Sequence, residues 1–202
     1  MDNQKTVPMT DYFQKLHLPR TAALEGELLQ QLYVERSRQV HPDHGGSEKE
    51  AAEVNAAFEI LRASETRLKH LMDLVAPEEV KVWRTIPLDE AMMSLFGRLG
   101  QALGQASILA ERKNNAQTAL AKALLARQTL DIRDELENIG LEVASLKQSL
   151  ETELPECDRL LSAAESVSEA WKKVATLQAK MAYAARWQKQ IREQLLTLDL
   201  DF

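Results

Sequence analysis

Two long heptad seams in the second half constrain this chain most. The first runs Leu125, Thr129, Ile132, Leu136, Ile139, Val143, Leu146 and Leu150, spaced alternately four and three apart. The second runs Val167, Ala170, Val174, Leu177, Met181, Ala184, Gln188, Ile191, Leu195 and Leu198, broken only by Gln188. A seam that regular keeps one apolar edge in register with a partner helix, as in coiled-coil packing. It predicts two helices, each roughly 45–60 Å long at about 1.5 Å per residue. Pro155 lies between the seams and predicts an antiparallel hairpin joined around it.

A third helix is expected from Leu88 to about Arg112, where Met92, Met93, Leu95, Phe96, Leu99, Leu103 and Leu109 form a wide apolar face. Gly97, Gly100 and Gly104 lie within it, each costing about 1 kcal/mol against alanine in a helix interior. That cost leaves the helix locally weak unless packing there demands close approach. Trp171 and Trp187 fall beside the second seam and read as packing residues. Residues 88–202 are therefore expected to form an elongated three-helix bundle, preceded by a linker over 77–87 that contains Trp83.

The first 76 residues carry a different pattern of short helices. One is expected over 10–18, capped by Thr10 or Asp11 and ended by Pro19. A second runs from about Ala22 to Val40, a third starts at Ser47 or Glu48, and a fourth follows an interruption at Ala63-Ser64. Between the second and third stands His41-Pro42-Asp43, followed by His44 and the pair Gly45-Gly46. Pro42 fixes its own φ and pushes His41 out of helical geometry, so the preceding helix stops there. Asp43 is an acceptor suited to capping or to an arginine, and His41 is a donor or acceptor left exposed.

Composition narrows the function. The net charge is -6 across 202 residues, and no basic footprint for nucleic acid is present. Cys157 is the single cysteine, which excludes an internal disulfide or a multi-cysteine zinc site and fits a reducing compartment. No apolar run approaches the ~20 residues a membrane helix needs, and Met1 to Met9 lacks an apolar leader core. The chain is expected in the cytoplasm. No nucleophile–base pair, glycine-rich phosphate loop or paired-acid constellation marks an enzyme, and two histidines beside Asp43 make a poor metal ligand set.

Over Asp11 to Val75 the residues resemble a J-domain, and more narrowly the HscB type of J-protein. The resemblance rests on Asp11-Tyr12-Phe13 and Leu18-Pro19 at the two ends of the first helix, and on Arg38-Gln39-Val40-His41-Pro42-Asp43 at the loop. Val54-Asn55-Ala56-Ala57-Phe58 with Leu61 matches the third-helix pattern. Arg67-Leu68-Lys69-His70-Leu71-Met72-Asp73-Leu74 is similar to the HscB pattern Arg-Ala-x-Tyr-Leu-Leu-x-Leu. A final Leu198-Asp199-Leu200-Asp201-Phe202 fits the same family.

The resemblance implies an all-α fold, with a J-domain over 1–76 and a client-binding bundle over 88–202. It implies a non-enzymatic, monomeric co-chaperone without cofactor that acts on a DnaK-type (HscA-like) chaperone and delivers an IscU-like iron–sulphur scaffold protein. His41, Pro42, Asp43, Arg36 and Arg38 would meet the chaperone, and Met92, Met93 and Phe96 the client. Three departures stand out. Val34 and Glu35 replace basic residues usual in J-domains, Val40 replaces an aromatic, and Gly97 and Gly100 occupy positions that are acidic in HscB. A J-protein with another client, or a coiled-coil protein with an inactive J-domain, are the alternatives these departures leave.

Overall fold

The computed structural model describes residues 9–78, 88–163 and 167–199, and among them every regular element is helical. Trp83 and the terminal Leu200-Asp201-Phe202 lie outside the described residues. The described chain falls into two compact units. One gathers the N-terminal helices with the stretch from Glu151 to Ala179, and so is not confined to the interval 1–76. The other gathers the following helices up to Leu150 with the chain from Lys180 onward.

In the first unit, α1 (Tyr12–Lys15) is a single turn rather than a helix over 10–18. Asp11 is the N-cap, accepting from the Gln14 N–H at 3.2 Å. The C-terminus is closed before Pro19 is reached. Leu18 donates to the Phe13 carbonyl (2.9 Å) and His17 to the Gln14 carbonyl (3.1 Å), while His17 itself sits at φ +55°. That is the 6→1 and 5→2 pairing of a Schellman motif, with histidine where glycine is usual. Its apolar clasp is Phe13 against Leu18, both buried.

Helix α2 (Gly26–Val40) begins four residues later than the expected start at about Ala22. The reason is tertiary. The Asp158 carboxylate accepts from the Thr21 hydroxyl (2.5 Å) and the N–H groups of Ala22 (2.6 Å) and Ala23 (2.8 Å), holding that strip out of helical geometry. Helix α3 (Glu48–Arg62) breaks at extended Ala63, as expected, and α4 (Ser64–Val75) follows. Phe13, Leu16, Leu29, Val54, Leu61 and Leu68 are buried in this unit.

Arg67 on α4 is 4% exposed, and its guanidinium is spent on the chain itself. Nε donates to the Ala22 carbonyl (2.9 Å), Nη1 to the Leu61 carbonyl (2.8 Å) and Nη2 to Ser64 Oγ (3.3 Å). Burial pulls its pKa down, and the charges of Glu151, Asp158 and Glu65 oppose that pull. A buried charge needs such partners, because solvation lost on burial is otherwise unreturned.

In the second unit, α5 (Glu90–Asn115) is capped by Asp89, which accepts from the Met92 N–H (2.9 Å) and from Lys180 Nζ (2.7 Å). Helix α6 (Ala119–Glu151) and the part of α8 (Val167–Asp199) beyond Lys180 complete three helices around one core of Leu99, Leu136, Val143, Trp187, Ile191 and Leu198. The seam residues Leu136, Ile139, Val143 and Leu150 are buried as the heptad predicts, as are Met181 and Ala184, and in the first unit Val174 and Leu177. Thr129, also in the seam, satisfies its hydroxyl on the Leu125 carbonyl at 2.8 Å.

Pro155 does not mark a simple turn. It lies in the first turn of an additional short helix, α7 (Leu154–Ser162), between the two long ones. A proline is accommodated there because first-turn N–H groups have no intrahelical acceptor.

Candidate functional site

The loop holding His41 is built by its neighbours on both sides. Val40 ends α2 buried, and His41 takes an extended backbone (φ −63°, ψ 135°) ahead of Pro42. Residues Pro42–His44 form one 3-10 turn, closed by Gly45 at φ +89°, whose N–H donates to the Pro42 carbonyl at 3.2 Å. The Gly46 N–H then donates to the His41 carbonyl at 3.1 Å. A Cβ on Gly46 would collide with the backbone carbonyl of Val40, so only glycine fits there. Ser47 caps α3 by accepting from the Glu50 N–H (3.2 Å) and donating to the Glu50 carboxylate (2.8 Å). Fixing both glycines and both flanking helix ends leaves the tip few alternatives.

At that tip, His41 and Asp43 expose 55% and 82% of their side chains. The Asp43 N–H donates to His41 Nδ1 at 3.2 Å, and the Asp43 carboxylate lies 3.5 Å from the same nitrogen. An amide can only donate, so Nδ1 is the unprotonated nitrogen in this geometry. The turn thus orients the imidazole from within three residues. Among the described residues no cluster of His, Cys, Asp or Glu is arranged to hold a metal, and no helix is long and apolar enough to cross a membrane.

Arg38 is exposed on a shallow face of α2 with Glu27, Gln30, Gln31, Val34 and Glu35. Arg36 stands apart from it. Two residues along a helix turn the side chain by about 200°, and Arg36 is half-buried, donating to Gln39 Oε1 at 2.9 Å. The two arginines expected to act together do not share a face.

Met92, Met93 and Phe96 also separate. Met92 is 1% exposed and belongs to the core, so its place in a client surface is corrected. Helical spacing puts Met92, Leu95 and Leu99 on the inward stripe and leaves Met93 and Phe96 one step round. Those two are 53% and 52% exposed. Gly97, Gly100 and Gly104 share that outer side, and nothing lies within 4 Å of a Cβ built on any of them. Packing within the chain does not require these glycines.

Sequence reading missed what supports Phe96. Its ring stacks on Trp187 at 6.1 Å, Trp187 meets Tyr183 at 6.1 Å, and the Arg186 guanidinium lies 5.8 Å from the Tyr183 ring. The i, i+4 spacing of Tyr183 and Trp187 beside the seam was the available signal. Asp158 and Glu151 left none, because each acts through partners more than 80 residues away. Cys157 is wholly buried, and burial pushes its thiol up to about 11, which makes it a packing residue rather than a nucleophile.

Neither the models of protein families nor the curated proteins give a match to this chain. Among solved structures it is similar to "Chaperone HscB from Vibrio cholerae", with a TM-score of 0.53 at 17% identity. The alignment covers 91% of this chain and 96% of that one. The chain has an HscB-like fold.

Proposed function

We propose that this chain is a J-domain co-chaperone of the HscB kind. It stimulates ATP hydrolysis by a DnaK-type (HscA-like) chaperone and presents to it an iron–sulphur scaffold protein of the IscU type. The observation that carries this reading is the His41-Pro42-Asp43 tip, exposed, internally oriented and held by Gly45 and Gly46 between the end of α2 and the Ser47-capped start of α3. The nucleotide chemistry belongs to the partner. This chain supplies differential affinity for the partner's hydrolysis-competent state, and a ligand shifts an equilibrium only by that difference. Arg38 is an exposed cation three residues before His41. With Glu27 and Glu35 on the same face, docking depends weakly on charge and falls with salt.

The client surface is the outer side of α5 around Met93 and Phe96, with Phe96 backed from beneath by buried Trp187 of α8. The protein acts in the cytoplasm as a monomer, without cofactor, membrane or nucleic acid. Single-turnover hydrolysis by the cognate chaperone tests the first half, using wild type and His41→Gln. Equal stimulation by both sinks the mechanism.

A second reading keeps the co-chaperone activity and changes the client. It is favoured by Gly97 and Gly100, which stand at the positions that would give the patch an acidic rim. A pull-down with the scaffold protein separates the two. Retention that is lost in Met93→Ala/Phe96→Ala supports the first, and no retention supports the second.

A further inference from the structure

His70 lies on α4, 6% exposed, with its ring 4.8 Å from the ring of Tyr12 and 5.7 Å from that of Phe13. Its Nε2 accepts the backbone N–H of Tyr12 at 3.1 Å. Tyr12 is the first residue of α1, so this N–H has no acceptor inside its own helix. The side-chain cap, Asp11, is already used on Gln14. The imidazole therefore supplies an acceptor that the one-turn helix lacks, and it does so across 58 residues of sequence. Because an amide donates and never accepts, Nε2 must be deprotonated while this contact stands.

We propose that His70 is an acid-releasable anchor for α1. Neutral His70 holds the first turn onto α4, and protonated His70 lets it go. Protonation at Nε2 converts the acceptor into a donor aimed at another donor, and it places a charge in a site largely closed to water. The charges facing the imidazole come from each packed segment. Asp11 precedes α1 and favours the proton, Arg20 opposes it, and on α4 Asp73 favours it while Lys69 opposes it. Asp11 is itself engaged by Arg20 Nε at 2.9 Å, which weakens its support for an imidazolium. Desolvation outweighs them and lowers the pKa of His70 below its usual value.

The released state, whose imidazole meets water, binds a proton more readily than the anchored one. Falling pH therefore drives release, beginning near the ordinary histidine pKa of about 6.5. Between that value and the lowered pKa of the anchored form, the opening constant rises about tenfold per pH unit.

Amide exchange of the full chain, read residue by residue by NMR and corrected for intrinsic rates, tests this without any chaperone. From pH 7.5 to 5.5 the protection of the Tyr12 amide should fall severalfold, with about tenfold as the ceiling for one proton, while that of Leu136 on α6 holds. A constant Tyr12-to-Leu136 ratio overturns the proposal. His70→Phe retains a ring but neither accepts nor titrates. Its Tyr12 amide should be poorly protected at both pH values, and wild-type protection there would equally overturn it. Should that variant fail to fold, the wild-type titration alone decides.

Discussion

Asp158 accepts the backbone N–H of Ala22 at 2.6 Å, 136 residues away in sequence, and Arg67 takes the carbonyl of the same alanine at 2.9 Å. One buried residue thus has its amide on an anion and its carbonyl on a cation. The strip from Thr21 to Ala23 is fixed by residues that lie on two separate helices, and α2 starts three residues beyond it at Gly26.

Asp158→Ala removes the acceptor for three donors at once and takes one compensating charge from the buried guanidinium. Hydrogen bonds to charged groups contribute about 1.5–3 kcal/mol each, although such losses are not additive. A net destabilisation of roughly 2–4 kcal/mol is expected on that scale, read as a lower midpoint in urea unfolding. A midpoint unchanged within error would mean that water replaces the carboxylate at no cost.

The outer face of α5 separates stability from binding. Gly97→Ala and Gly100→Ala add a Cβ into open space, so each should stabilise the chain by up to about 1 kcal/mol through helix propensity. If a client packs closely against this face, the same substitutions weaken its retention while raising the thermal midpoint. Raised stability with unchanged retention would place the client elsewhere.

The heptads made the three-helix core readable in advance, because a seam of period 3.5 has few ways to be buried. Val143, Met181 and Leu198 lie where the period puts them. Met92 was misplaced for a related reason. A wide apolar face has two edges, and the spacing of Met92, Met93 and Phe96 alone does not say which edge the neighbouring helices cover. The role of Asp158 and the late start of α2 were not legible, since each depends on contacts between distant segments that override local propensity. The His41 tip was legible because proline and glycine act on their own backbone.

His17 offers a test of that local control at φ +55°, a region costing an L-residue about 1–2 kcal/mol that glycine avoids. His17→Gly should stabilise the chain by roughly 1 kcal/mol if the Schellman closure persists. Chemical denaturation measures it, and a destabilised variant would show that the exposed imidazole contributes more than the strain costs.

Gly46 distinguishes the tip's scaffold from its chemistry. Gly46→Ala leaves His41, Pro42 and Asp43 in the sequence but drives a methyl group into the Val40 carbonyl, so the 3-10 turn cannot close against α2. A backbone clash of this kind is relieved only by moving the loop, at a cost on the order of 1–3 kcal/mol. His41→Gln alters an exposed side chain and should leave stability within about 0.5 kcal/mol of wild type. Both substitutions should abolish stimulation of the chaperone, but Gly46→Ala alone should lower the unfolding midpoint. Full stimulation by Gly46→Ala would mean that the tripeptide works without the geometry that now holds it, and the orientation of His41 by the Asp43 amide would then have no part in triggering hydrolysis.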